Sequence, residues 1–127
     1  MRITIILPTY NEAENLPNLV SALFSLHLDL SVIVVDDNSP DGTGKVADEL
    51  AKQYPERFFV LHRSGKLGLR SAYMEGFNMA FELGAGAVVQ MDADFSHDPA
   101  VLPEMARQIV ANDVVIGSRY INGGSLD

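Results

Sequence analysis

Cysteine is absent from this 127-residue chain, which removes disulfides, thiolate nucleophiles and zinc–thiolate sites and is compatible with a reducing cytoplasm. Basic residues are also scarce, nine against seventeen acidic ones. The resulting net charge of −8 argues against a surface that grips nucleic acid or anionic lipid through counterion release. No apolar run approaches the length of a membrane span, and the N-terminus enters Ile3-Thr4-Ile5-Ile6-Leu7 without a cleavable signal pattern. Internal repeats, low-complexity tracts and linkers are missing too. With 47% hydrophobic residues the chain can bury one sizeable core, so one domain is expected.

Two phosphate-binding signatures are lacking as well. The first apolar run leads into Pro8-Thr9-Tyr10-Asn11 rather than a glycine-rich turn, so no dinucleotide cradle of the Gly-x-Gly-x-x-Gly kind is present. Gly65-Lys66 has neither the preceding glycine spacing nor the following hydroxyl residue of a Walker loop. The three histidines, His27, His62 and His97, are scattered and make no metal pair.

What is present is an alternation of apolar runs and amphipathic stretches. Strands are expected over residues 2–7 (closed by Pro8), 32–35, 58–61, 87–91 and 114–116. Between them, Leu16, Leu19, Val20, Leu23 and Phe24 repeat at helical spacing, with Asn11 as the expected cap, Glu14 completing a capping box and Pro17 confined to the first turn. A second helix carries Val46, Ala47, Leu50 and Ala51 inward. A third presents Leu69, Ala72, Tyr73, Gly76, Phe77 and Ala80. A fourth begins at Asp98-Pro99, cap followed by proline, and continues through Leu102, Met105, Ala106, Ile109 and Val110. Strand–helix alternation without hairpin signals means an α/β three-layer sandwich with a mostly parallel sheet. The glycine-rich close, Tyr120 to Asp127, lacks a final element and predicts truncation at the C-terminus.

Three expected strands run out into polar clusters: Pro8-Thr9-Tyr10-Asn11-Glu12, Asp36-Asp37 and Asp92-Ala93-Asp94. A parallel sheet places all three on the edge where ligands bind in open α/β sheets. Each has an ordinary explanation by itself, since Glu12 can serve a helix dipole and Asp36 or Asp37 a turn. Asp92 and Asp94 are harder to explain as caps because Asp98 already caps the next helix. Two like charges buried side by side need a cation or strong donors to compensate them, and a divalent metal is the obvious choice, Mg²⁺ or Mn²⁺ beneath a phosphate-bearing substrate. Arg119, after the fifth strand, can clamp an anionic group there.

Five motifs in order, Leu7-Pro8-Thr9-Tyr10-Asn11-Glu12, residues 36–43 (Asp36-Asp37-Asn38-Ser39-Pro40-Asp41-Gly42-Thr43), Lys66-Leu67-Gly68-Leu69, residues 91–97 (Met91-Asp92-Ala93-Asp94-Phe95-Ser96-His97) and Gly117-Ser118-Arg119-Tyr120, resemble those of family 2 glycosyltransferases of the GT-A (nucleotide-diphospho-sugar transferase) fold, in particular dolichyl- or polyprenyl-phosphate mannose synthases. The resemblance covers nearly the whole chain and implies that residues 1–127 are the nucleotide-sugar-binding part of such a domain. By similarity, Pro8, Tyr10, Glu12, Val35 and Asp37 hold base and ribose, and Asp92, Ala93 and Asp94 meet ribose, metal and diphosphate. Arg119 reaches the sugar-phosphate region, and Asp92, Asp94 and Arg119 act in catalysis.

The reaction implied is metal-dependent, inverting transfer of mannose from GDP-mannose to a polyprenyl or dolichyl phosphate, by a cytoplasmic protein working at the cytoplasmic face of a membrane when full length. The alternatives are a UDP-sugar donor, a hydroxyl acceptor, which needs a carboxylate base, or a non-catalytic nucleotide-sugar-binding fragment. A phosphatase with a strand-end aspartate nucleophile is disfavoured, because the hydroxyl residue and glycine usual after such a nucleophile are missing beyond Asp94. Two departures stand out. The family commonly has glycine where this chain has Arg70, and some relatives have a glutamine metal ligand where it has Ser96.

Overall fold

A computed structural model of the chain describes residues 2–64, 68–91, 100, 102–103, 114–116 and 119–121. Six strands form one sheet: β1 (Ile3–Thr9), β2 (Leu30–Asp36), β3 (Phe58–His62), β4 (Ala87–Gln90), β5 (Val114–Ile116) and β6 (Arg119–Ile121). Their order is β3-β2-β1-β4-β5-β6. The first five are parallel, and β6 returns antiparallel to β5 with Arg119 opposite Ile116. That sixth strand was not expected from the glycine-rich context of Tyr120-Ile121.

The central runs are apolar throughout because both faces of the sheet are covered. On one face, Ile5, Leu7, Val32, Val34 and Val89 pack against Leu16, Leu19, Val20 and Leu23 of α1 (Leu16–Phe24) and Ala47 and Leu50 of α2 (Thr43–Gln53). On the other, Ile6, Ile33, Val35 and Val88 meet Ala72 and Ala80 of α3 (Leu69–Glu82), with Tyr73 and Phe77 alongside. The result is three layers. Thr4 and Ser31, opposite each other in the ladder and both buried, satisfy one another through a 2.8 Å hydroxyl contact. Gly76 lets α3 lie close on β1, since a Cβ there would come within 2.6 Å of Ile6 Cγ2.

Two expected boundaries move, each for a local reason. Pro8 does not end β1, which continues to Thr9 with Pro8 opposite Val35. Alternation along the strand puts the missing Pro8 N–H on the β4 side, where the ladder has already ended at Gln90, so nothing is lost. Nor does Asn11 cap α1. It sits in the left-handed region (φ 59°), Asn15 takes the cap position without a side-chain bond, and Pro17 occupies the first turn. A helix started at Asn11 would have buried Pro17 in its interior, at a cost of about 3 kcal/mol. The fourth expected helix falls largely outside the described residues.

The chain builds outward from β1 to β2 and β3, then jumps back to β4 on the other flank. In open α/β sheets such a reversal marks the edge, beyond the carboxyl ends of the strands on either side of it, where ligands bind. Met91 N–H donates to Ile6 O (3.1 Å), so Met91, directly after β4, stays beside the end of β1 that leads into Pro8-Thr9-Tyr10. No helix among the described residues is long and apolar enough to cross a membrane.

Candidate functional site

Two loops meet at this edge, residues 10–15 after β1 and residues 37–42 after β2. Neither forms backbone ladders of its own. Instead, three consecutive amides of the first loop are received by side chains of the second and of the α2 start. Asn11 N–H donates to Ser39 Oγ (3.0 Å), Glu12 N–H to Thr43 Oγ1 (2.9 Å) and Ala13 N–H to Asp41 Oδ2 (3.1 Å). The acceptors alternate along the chain, so one turn presents all three to the neighbouring loop. Gly42, at φ 92°, makes that turn possible.

Thr43 is fully buried, and its hydroxyl passes the chain of bonds on by donating to Asp41 Oδ1, which also accepts from Thr43 N–H (3.0 Å). These contacts hold the exposed Asp41 carboxyl below its ordinary value of 3.8. The Thr43 hydroxyl is the largest cause, a desolvation contribution opposes it, and the Ala13 and Thr43 amides assist it. Glu12, half-buried, receives Asn15 Nδ2 on Oε2 (3.1 Å). Tyr10 stands 39% exposed at the rim.

The adjacent acids Asp36 and Asp37 have different fates. Asp36, 2% exposed, accepts from Thr9 Oγ1 (2.9 Å), Ser39 Oγ (2.6 Å) and Ser39 N–H (3.1 Å), and so binds the two loops to the strand ends. Asp37 points the other way. Its amide donates to Thr9 O (3.2 Å), and its Oδ1 lies 2.7 Å from Arg63 Nε. That separation is an ion-pair contact, yet the N–H is not aimed at the oxygen, and neither buried atom has a hydrogen-bond partner. The pair is a charge contact without a hydrogen bond.

Arg63 was not singled out in the sequence, where it follows an apolar strand like any surface arginine. It is 6% exposed, and Arg63 N–H extends the sheet to Asp36 O (2.8 Å). Its guanidinium is held by α3 and the turn before it: Nη1 donates to Ser71 Oγ (3.0 Å) and Glu75 Oε2 (2.7 Å), and Nη2 to Gly68 O (3.3 Å). The available signal was position, since a cation directly after a strand ends on the same edge as the acids.

Of the residues picked out by sequence, Pro8, Tyr10, Glu12, Val35 and Asp37 therefore gather at the carboxyl ends of β1 and β2. Val35 is fully buried beside Pro8. Arg119 opens β6 at the far side of the sheet. Asp92, Ala93 and Asp94 lie outside the described residues, as do Lys66, Ser96 and His97. Among the described residues no group of three or more acids or histidines is arranged to hold a metal. His62 pairs instead with Asp48 on the surface (2.8 Å).

Residues 4–127 match the family model described as glycosyl transferase family 2. Polyprenol monophosphomannose synthase of Mycolicibacterium smegmatis is 46% identical over 126 residues, covering 98% of this chain and 48% of that protein. Undecaprenyl-phosphate mannosyltransferase of Micrococcus luteus is also 46% identical over 126 residues, covering 99% of this chain and 51% of its own. Dolichol-phosphate mannosyltransferase of Pyrococcus furiosus is 41% identical over 130 residues, 100% of this chain and 36% of that one. The chain thus spans about half, or less, of the length of these relatives.

Among solved structures, a mannosyltransferase from Pyrobaculum calidifontis in complex with GDP-Man and Mn²⁺ superposes with a TM-score of 0.61 at 31% identity, over 73% of this chain and 27% of that one. Glucosyl-3-phosphoglycerate synthase from Mycobacterium tuberculosis shares the fold at a TM-score of 0.65 and 19% identity, over 85% and 39% of the two chains. The fold is that of the GT-A glycosyltransferases.

Proposed function

The chain belongs to glycosyl transferase family 2, and from that premise we propose that residues 1–127 form the donor-binding part of a metal-dependent enzyme that transfers mannose, with inversion, from GDP-mannose to a polyprenyl or dolichyl phosphate. The observation that carries this reading is identity of 41–46% to three polyprenyl-phosphate mannosyltransferases along essentially the whole chain. A polyprenyl or dolichyl phosphate acceptor would bring the working protein to a membrane surface, in this reading its cytoplasmic face.

In this reading the nucleoside lies across the edge of β1 and β2. Asp37 accepts from a base N–H, the Tyr10 ring and Pro8 flank the base with Val35 beneath, and the Glu12 carboxylate takes ribose hydroxyls. Asp92 and Asp94, with Ala93 between them, would meet the ribose and diphosphate and would hold Mg²⁺ or Mn²⁺. Two carboxylates one residue apart are the hard oxygen donors such cations prefer. The chemistry such a cation would supply there is neutralisation of the charge that grows on the leaving diphosphate. Arg119 contributes a guanidinium to the sugar-phosphate region. Asp92, Asp94 and Arg119 together stabilise the transition state rather than move a proton. An anionic phosphate acceptor needs no strong general base, which fits a chain whose histidines stand apart.

A second reading, a donor-binding piece that does not turn over by itself, is favoured by the match covering only 36–51% of the three relatives. Calorimetry with GDP- and UDP-sugars, each with and without Mn²⁺, tests donor and metal together. GDP-mannose binding that needs Mn²⁺ and disappears in Asp92→Asn and Asp94→Asn supports the proposal. Binding that survives both substitutions in Mn²⁺, or a preference for UDP-sugars, sinks the metal or the donor assignment respectively. Adding a polyprenyl phosphate then separates a working transferase from a binding piece.

A further inference from the structure

Asp37 does not hold Arg63 in place; the geometry has it the other way round. Three hydrogen bonds, to Ser71 Oγ, Glu75 Oε2 and Gly68 O, fix the plane of the guanidinium from α3 and its approach. None comes from Asp37, although its Oδ1 is only 2.7 Å from Nε. A buried arginine present merely to close an ion pair would aim its N–H at the carboxylate, because that is where the desolvation of both groups is recovered. Here the pair is 2% and 10% exposed at the side chains and the hydrogen bond is still not made. The backbone of Asp37 is fixed independently by its amide bond to Thr9 O.

The carboxylate is thus pressed from one side at Oδ1, a sealed atom, and the small exposure Asp37 keeps does not belong to that oxygen. We propose that Arg63 is a positioning residue for the base subsite: it fixes the rotation of the Asp37 carboxylate so that Oδ2 is the oxygen offered to a donor N–H of the nucleobase, and Ser71 and Glu75 of α3 set that rotation through it. The inference rests on Asp37 being the base contact. It adds a residue that touches no substrate and a helix that becomes part of base selection.

The experiment compares a probe that has a base with one that does not. GDP, UDP and inorganic pyrophosphate, each with Mn²⁺, are titrated into wild type, Arg63→Gln, Asp37→Asn, the double variant and Glu75→Gln, and dissociation constants are read by calorimetry. Arg63→Gln is expected to weaken whichever nucleotide the wild type binds by about tenfold or more, the worth of one well-aligned hydrogen bond to a charged group. Pyrophosphate affinity stays within about twofold, and the double variant is no worse than Asp37→Asn alone. Equal weakening of nucleotide and pyrophosphate, or losses that multiply in the double variant, would show a structural arginine and overturn the proposal.

Should Arg63→Gln not fold, Glu75→Gln decides. Glu75 is half-exposed and its substitution leaves the Asp37 contact in place. A loss of about two- to fivefold confined to the nucleotide supports the proposal, and unchanged nucleotide affinity overturns it. A wild type that binds pyrophosphate but neither nucleotide overturns the base-subsite reading itself, an outcome distinct from an indifferent Arg63→Gln.

Discussion

Replacing Thr43 with valine keeps its shape and removes a single oxygen from the middle of the loop clasp. That oxygen accepts from Glu12 N–H at 2.9 Å and donates to Asp41. A stranded buried donor costs about 1–3 kcal/mol; Glu12 is half-buried, so the lower part of that range applies, about 1–2 kcal/mol. The lost bond to Asp41 adds little, because water reaches that carboxylate. For a domain of this size the expected fall in Tm is about 4–8 °C. Thr43→Ser is the control. It keeps the oxygen and loses a buried methyl worth about 0.8 kcal/mol, so stability alone does not separate the two.

Amide exchange separates them. Glu12 N–H should lose protection in Thr43→Val and keep it in Thr43→Ser, read by two-dimensional NMR. The Asp41 carboxyl should titrate closer to its ordinary value in the valine variant, since the Thr43 hydroxyl is the largest cause of its lowering. If Glu12 stays protected and Asp41 titrates as before, the clasp is not what shapes the loop after β1, and the reasoning fails.

Two further substitutions probe the same frame. A folded-state carboxyl held below its unfolded value stabilises in full above that unfolded value, 3.8 for Asp41, and loses the contribution as pH falls through the lowered one. The difference in urea midpoint between wild type and Asp41→Asn should therefore be constant above about pH 5 and vanish in strong acid; a difference that persists there refutes the assignment. Gly76→Ala gains about 1 kcal/mol of helix propensity but drives a methyl to within 2.6 Å of Ile6 Cγ2, and overpacking costs about 1–3 kcal/mol. Ile6 is fully buried and stiff at χ1, so a net loss is expected, smaller in an Ile6→Ala background; a raised Tm would show that α3 can back away.

The sheet was legible because its strands are covered on both faces, so each appears as an uninterrupted aliphatic run and its polar ends mark the ligand edge. Helix faces follow from spacing: every α1 residue buried in the structure, Leu16, Leu19, Val20 and Leu23, belongs to the apolar stripe that the sequence shows. What escaped was whatever depends on a partner remote in sequence. Asn11 carries a capping signature, but its amide and the two after it are received by Ser39, Thr43 and Asp41, 28 to 31 residues away. Ser39, Asp41 and Thr43 look like turn formers, which they also are. Arg63 becomes a buried cation only once α3 brings Ser71 and Glu75 over it. Neither the local pattern nor the composition holds that information.

The paired acids show the same limit most sharply, and they yield a contrast that can be measured. Residue type and position alone do not separate Asp36 from Asp37, though the family resemblance selects Asp37; in the structure Asp36 closes β2, Asp37 follows it, and the two side chains have different partners. Asp36 lands among the Thr9 and Ser39 donors, where Asp36→Ala would strand two hydroxyls and an amide, a loss of about 3 kcal/mol. Asp37 lands beside a guanidinium that keeps Glu75 when Asp37 is neutralised, so Asp37→Asn should destabilise less than loss of the sole partner of a buried charge, which costs about 3–5 kcal/mol. Nucleotide affinity should rank the other way, with Asp37→Asn the more damaging at a temperature where both variants are folded. Paired urea melts and titrations decide the matter. If the acid that matters more for stability also matters more for binding, the division of labour between the two acids at the end of β2 is wrong, and the ligand edge is held together differently from the way its hydrogen bonds suggest.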